Sequence, residues 1–249
     1  MLHIVLQMTV AALASSMSGS SLSAPNPTTA AHQIVVVTTP NWTSTTGTLR
    51  RFERTSLSGA WVGVGPPTAV VVGRTGVALG LGFESLDRAG PVKHEGDGKA
   101  PAGVFPLDTA FGFAPRDSVR NIRLPYTQLV PGSDCVDDTT SAHYNTVVDK
   151  QHVPRVDWSS AEHMREISQY EIGVIVGYNA PRPKRGRGSC IFLHIWNGPS
   201  SSTAGCTAFD VNALHRIVEW LDPKRGPMLV QFPRQLYGAV SKQWKLPPA

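Results

Sequence analysis

Short runs of β-branched and other apolar residues recur along most of this chain, separated by glycine, proline and small polar residues. Runs of this length, bounded by turn-forming residues, are typical of β-strands. The pattern predicts strands at residues 33–39, 48–52, 60–64, 69–72, 103–107, 124–126, 146–148, 173–178, 190–196 and 228–232. We therefore expect a mainly β (β-rich α+β) domain over residues 33–232, preceded by a linker at 25–32 and followed by a C-terminal tail at 233–249.

Two segments predict helices instead. Ser159 to Glu162 has the form of a capping box, so a short helix is expected from there through about residue 167. Asp210 is a good N-cap for a second helix that ends before Pro223. The apolar face of this second helix follows the i, i+3, i+4, i+7 pattern with Leu214, Ile217, Val218 and Leu221. Because this helix follows closely after Cys206, we expect its positive N-terminal end to face that thiol and to lower its pKa.

Length and composition allow one large domain or two small ones, since the chain has 249 residues and 41% of them are hydrophobic. The formal net charge is +5, and much of the excess lies in one Pro/Gly-rich segment, at residues 182–187. We interpret this segment as a solvated loop, because a nucleic-acid interface needs basic residues interleaved with aromatic ones on a defined surface. No nucleic-acid partner is therefore expected, while attraction to an anionic surface such as a cell envelope stays open.

The first 24 residues form an apolar stretch followed by small residues, as in an export signal. This stretch has no Lys or Arg, and Gln7 interrupts it; cleavage after Ala14 or Ala24 is compatible with the pattern. It is too short and too interrupted for a transmembrane helix. We therefore expect a signal peptide at residues 1–24, an exported protein of the periplasm or cell envelope, and no stable membrane insertion.

The segment around Cys206 carries the clearest catalytic pattern. His194 lies in an apolar strand-like run, and Cys206 follows Gly205 in a loop rich in Gly, Ser and Thr. A thiol with an ordinary pKa near 8.5 needs a base to become a nucleophile at neutral pH, and a strand-held histidine supplies one. We expect Cys206 to be the nucleophile, His194 its base, and the amides around Gly205 an oxyanion hole. The alternative is a buried structural thiol beside a core histidine.

The other two cysteines leave two possibilities open. If Cys206 is the working thiol, Cys135 and Cys190 are the candidates for a disulfide, but two buried free thiols are equally compatible with the sequence. Cys190 and His194 also lie four residues apart, as a metal-binding pair can, but no second ligand pair accompanies them. We expect neither a metal nor a cofactor.

Two segments together resemble the catalytic domain of L,D-transpeptidases, also called the YkuD-like family. That family has an upstream histidine, a loop and a Ser/Thr-His-Gly-Cys element, which residues 203–206 (Thr-Ala-Gly-Cys) match except at Ala204. An earlier Thr-Pro-x-Gly-x-Phe/Tyr element of the family is similar to residues 100–105, Ala-Pro-Ala-Gly-Val-Phe. The resemblance covers roughly residues 33–232. It implies a sheet sandwich or partly open barrel with one helix packed near the active site.

The resemblance also implies a function. It implies a cysteine acyltransferase that acts on peptidoglycan stem peptides through a thioester, with Thr203, Ala204 and Trp196 contacting the substrate. This chain departs from the family pattern in that Ala204 replaces a histidine and Thr207-Ala208 replaces the residues that usually follow the cysteine. The departures leave the donor and the acceptor peptides open. The alternatives are a murein carboxypeptidase or peptidase that uses water on the same scaffold, and a non-catalytic envelope-binding module.

Overall fold

The computed structural model describes residues 25–249, so the expected signal peptide at 1–24 lies outside the described residues. The strands of the described part are β1 (Gln33–Thr39), β2 (Thr46–Glu53), β3 (Val62–Gly63), β4 (Thr68–Val71), β5 (Val77–Leu79), β6 (Ala100–Pro106), β7 (Thr109–Gly112), β8 (Tyr126–Gln128), β9 (Ser133–Val136), β10 (Val147–Asp149), β11 (Ala161–His163), β12 (Ile172–Ile175), β13 (Phe192–Ile195), β14 (Thr207–Phe209) and β15 (Met228–Pro233). Its α-helices are α1 (Val211–Trp220) and α2 (Arg234–Trp244). The prediction of a mainly β protein is confirmed.

Twelve of these strands form one large mixed sheet, in the order β5-β6-β15-β1-β2-β4-β14-β13-β12-β7-β8 with β3 beside β2. In it, β13 pairs antiparallel with β12 and parallel with β14. The register places Leu193 opposite Thr207 and His194 opposite Ala208. A residue just before β14 therefore lies beside the start of β13.

The strand β1 separates two hydrophobic cores. Val35 and Val37 belong to the core that α1 joins, whereas Ile34 and Val36 belong to the core that α2 joins. Successive side chains of a strand point to opposite faces of the sheet, so the two cores lie on opposite faces of β1. This burial on both faces explains why β1 is a continuous apolar run rather than an alternating one.

The remaining strands form a small sheet in the order β10-β9-β11. A disulfide between Cys135 of β9 and Cys190, just before β13, links this sheet to the large one. Of the two possibilities that the sequence left open, the structure has the disulfide, and Cys206 is the free cysteine of the described part.

Both ends of the described chain are packed, contrary to expectation. Residues 233–249, expected as a tail, contain α2, so two helices rather than one pack against the large sheet. The side chains of α2 that enter its core are Leu236, Tyr237, Val240 and Trp244. Residues 25–32, expected as a linker, hydrogen-bond to the rest: Asn26 Nδ2 donates to Trp244 O at 2.8 Å, and Arg54 Nε donates to Ala31 O at 2.7 Å. Neither helix, within residues 25–249, has the length and apolar character to cross a membrane.

The helix expected from Ser159 to about residue 167 is wrong. The segment forms β11, paired with β9, followed by a 3-10 turn at Met164–Glu166. The reason lies in the hydrogen bonds of the two serines at the start of the segment. Ser159 donates from both its amide and its hydroxyl to Asp138 Oδ2, at 2.8 Å each, and Ser160 Oγ donates to Asp137 Oδ1. These tertiary hydrogen bonds replace the local capping bonds that would have started a helix.

Candidate active site

Cys206 lies immediately before β14, next to the first residue of β13. Its Sγ accepts a hydrogen bond from Phe192 N at 3.2 Å, and its thiol faces Cys190 O at 3.4 Å. The residue is 4% exposed. Burial, reinforced by the nearby Glu162 carboxylate, raises the pKa of the Cys206 thiol well above its ordinary value. At pH 7 the resting residue is therefore a neutral thiol whose position is fixed by the strand backbone.

His194 stands on β13, between Gly173 of β12 and Ala208 of β14. Its Nδ1 lies 2.8 Å from Ile195 O. A carbonyl oxygen only accepts hydrogen bonds, so Nδ1 carries the proton and Nε2 keeps its lone pair. Burial lowers the pKa of His194 to about 4, although the bond to Ile195 O partly opposes this. The imidazole is therefore neutral at pH 7, in the tautomer that can accept a proton at Nε2.

The thiol and the imidazole share one cavity of about 140 Å³. Three residues that the sequence singled out for substrate binding also line it: Trp196, Thr203 and Ala204. Five of the six predicted site residues are thus brought together around one space. The thiol and the ring are each hydrogen-bonded to backbone groups, and what relates them is the cavity that both side chains line.

Gly205, the sixth residue, contributes in a different way from the one expected. Its amide donates to Thr203 Oγ1 at 3.1 Å, and that hydroxyl donates to Cys206 O at 2.7 Å. The Gly205 amide is therefore already engaged, so the oxyanion role expected of the amides in this loop passes to its neighbours, among them the amide of Cys206. Close packing favours glycine here, because a Cβ at this position would lie 3.0 Å from Lys99 O, closer than an ordinary contact.

The expected effect of α1 on the thiol is wrong. The helix begins as predicted, with Asp210 Oδ1 accepting from the amides of Asn212 and Ala213. However, strand β14 lies between Cys206 and Asp210, and three extended residues span about 10 Å. The field of a helix end falls off within about one turn. The pKa of the Cys206 thiol is accordingly raised by burial instead of being lowered.

Two further residues reach the thiol that the sequence did not indicate. Tyr170 packs edge-to-face against the His194 ring, with centroids 5.2 Å apart, and lines the same cavity as Cys206. The same hydroxyl donates to Glu162 Oε2. Burial, and to a smaller extent the charges of Asp137 and Glu95, raise the pKa of Glu162 to about 7. No local sequence pattern places these residues at the thiol, since Glu162 lies in the segment predicted as a helix and Tyr170 lies beyond it.

A second cavity, of about 120 Å³, also reaches Cys206. Its lining is charged and carries both signs: Arg74, Lys93, Glu95, Asp137 and Glu162. Cys206 and Ala204 line both cavities, and so does Glu162. The thiol is therefore approached by one space that contains the imidazole and by another that is dominated by charged side chains.

Cys190 and His194, four residues apart, do not form a metal-binding pair in the structure. The sulfur of Cys190 is bonded to Cys135, so it cannot serve as a thiolate ligand. Within residues 25–249, no three or more His, Cys, Asp or Glu side chains are grouped as metal ligands.

No protein-family profile, curated protein or solved structure matches this chain.

Proposed function

We propose that this protein is a cysteine acyltransferase of the L,D-transpeptidase type, acting on peptidoglycan stem peptides, with Cys206 as the nucleophile and His194 as the general base. The observation that carries the proposal is that the free thiol and a neutral imidazole line the same cavity. The resemblance of residues 203–206 to the family element supports the substrate class. Export to the periplasm or cell envelope, where such substrates lie, belongs to the same proposal.

The resting site implies that proton removal accompanies attack. The thiol and the imidazole are both neutral, so no thiolate–imidazolium pair is stored before substrate arrives. His194 Nε2 takes the proton of Cys206 as Sγ bonds to the carbonyl carbon of the diaminoacyl residue. The amide of Cys206 donates to the oxygen that gains the negative charge. His194 then returns the proton to the leaving nitrogen of the terminal D-residue, and a thioester remains.

The second half of the reaction repeats these roles. An acceptor amine attacks the thioester carbonyl, His194 Nε2 takes a proton from that amine, and the thiol leaves with a proton restored to it. Because a base must be unprotonated to act, the lowered pKa of His194 keeps it competent throughout the neutral range. Water in place of the amine gives the hydrolytic alternative on the same residues.

Turnover of a synthetic stem tetrapeptide tests the proposal directly. The wild-type protein should release the terminal D-residue, and an added diamino peptide should appear in a cross-linked product by mass spectrometry. Cys206→Ser should abolish release, and His194→Gln should slow it while leaving the fold intact. Release without cross-linking would reassign the protein as a carboxypeptidase. Release that persists in Cys206→Ser would remove the proposed nucleophile.

A further inference from the structure

Tyr170 connects the nucleophile to a carboxyl group. Its hydroxyl donates to Glu162 Oε2, and its side chain lines the 140 Å³ cavity together with Glu162 and Cys206. The ring is held from several sides, by edge-to-face contacts with Phe111, Phe192 and His194 at centroid distances of 5.2 to 5.7 Å. A ring packed in this way leaves the hydroxyl proton as the freely rotating part of the side chain.

A phenol has one proton, so it can donate to only one partner at a time. When Glu162 is ionised, its carboxylate accepts that proton, as in the observed hydrogen bond. When Glu162 is protonated, its own O–H can donate to the Tyr170 oxygen. The Tyr170 proton can then turn to the sulfur of Cys206, where it stabilises a developing thiolate. The protonation state of Glu162 thereby decides which atom receives the Tyr170 hydrogen bond.

The surroundings of Glu162 hold it near this transition. Glu95 and Asp137 line the charged cavity with it and disfavour its ionised form. Arg74 and Lys93 line the same cavity and carry positive charge. Burial is the largest contribution and places the pKa of Glu162 at about 7. Both protonation states are therefore populated at neutral pH.

We propose that Glu162 is a positioning residue that, in its protonated form, directs the Tyr170 hydroxyl onto the sulfur of Cys206 and so favours the thiolate. This role rests on the proposed function for its place in catalysis, but the reactivity of the thiol measures it alone. Glu162 acts through Tyr170 and needs no contact with the substrate.

The rate of alkylation of Cys206 by iodoacetamide, followed by intact mass from pH 5.5 to 8.5, tests the proposal. Cys135 and Cys190 are oxidised, so a single adduct reports Cys206. In the wild type, the logarithm of the rate should rise with pH and then flatten above about pH 7. Glu162→Gln keeps a donor to Tyr170 at every pH, so its rate should continue to rise and exceed the wild-type rate about tenfold at pH 8.

Two control variants separate hydrogen-bond positioning from charge alone. Asp137→Asn removes a neighbouring negative charge without touching Tyr170, so it should move the flattening to lower pH without removing it. In a Tyr170→Phe background, Glu162→Gln should give a much smaller gain, because the group through which it acts is missing. Thermal unfolding of each variant checks that the fold is kept.

An equal gain from Glu162→Gln with and without the Tyr170→Phe substitution would show a purely electrostatic effect and overturn the proposal, as would an unchanged pH profile in Glu162→Gln. These outcomes do not depend on acyl transfer. A protein that shows the predicted alkylation profile but turns over no stem peptide would retain this inference while losing the proposed function.

Discussion

Replacing Cys135 and Cys190 together by alanine should lower the free energy of unfolding by about 4 kcal/mol. The disulfide joins the small sheet to the strand that carries His194, across a sequence separation of 55 residues. In the chain-entropy description, closing a loop of that length removes about 14 cal/mol/K from the unfolded ensemble, or about 4 kcal/mol at 25 °C. Both cysteines are buried, so alanine keeps the packing at Cβ while removing only the sulfur atoms.

Urea unfolding of the wild type and of the double variant, followed by tryptophan fluorescence, measures this difference. For a protein of this size, 4 kcal/mol corresponds to a fall in Tm of about 10 °C. Cys206→Ala is the matched control, because it also removes one buried sulfur but breaks no cross-link. This substitution should lower the free energy of unfolding by about 1–2 kcal/mol.

The same double variant should also react more slowly at Cys206. The bond holds β9 and its neighbour β11, which carries Glu162, beside the start of β13. A fall of less than about 1 kcal/mol in the free energy of unfolding of the double variant, or a fall equal to that of Cys206→Ala, would refute the reasoning that the disulfide constrains the unfolded chain.

Three further predictions follow from individual positions. The pKa of His194 falls from its ordinary 6.5 to about 4 in the folded protein, so on acidification the unfolded chain takes up the proton before the folded one does. The free energy of unfolding, measured by urea titration, should therefore fall by about 3 kcal/mol as pH drops from 6.5 to 4, and His194→Gln should flatten this part of its pH dependence. Trp244→Ala should destabilise the protein by about 3–5 kcal/mol because the ring is buried in the core that α2 joins. Substitution of the exposed Lys242 by alanine should change stability by less than about 0.5 kcal/mol, and equal effects of the two substitutions would contradict the packing of α2. Gly205→Ala should lower the free energy of unfolding by about 1–3 kcal/mol and slow alkylation of Cys206, because the new Cβ would lie 3.0 Å from Lys99 O. Gly238→Ala, with open space around it in α2, should raise the free energy of unfolding by about 0.5–1 kcal/mol, and thermal unfolding compares the two variants.

Ten of the fifteen strands in residues 25–249 were predictable because their signal is local. All ten predicted runs overlap a strand of the structure, since apolar residues bounded by glycine or proline leave few other choices. The five strands that were missed, β5, β7, β9, β11 and β14, have three or four residues each. Strand β14, for example, is too short to show periodicity and is held by pairing to β13 and β4. Helix α2 was missed because it has no side-chain N-cap. It packs on β15, which directly precedes it, and on β1, which is distant in sequence.

The candidate site was predictable only in its linear part. Cys206 and His194 stand out because a Gly-Cys loop follows a strand-like run that ends near a histidine. Glu162 and Tyr170 reach the thiol through tertiary structure, from a segment whose serines bond to Asp137 and Asp138 instead of capping a helix. The electrostatics were not predictable either, because the pKa values of Cys206 and His194 are set mainly by burial.

The central claim is that Cys206 accepts an acyl group. Intact mass spectrometry of the protein after incubation with a carbapenem, beside Cys206→Ala, tests it most directly. We expect one covalent adduct on the wild type, none on Cys206→Ala, and slower formation in His194→Gln. No adduct on a folded wild-type protein whose Cys206 still reacts with iodoacetamide, or an adduct that persists in Cys206→Ala, would contradict it.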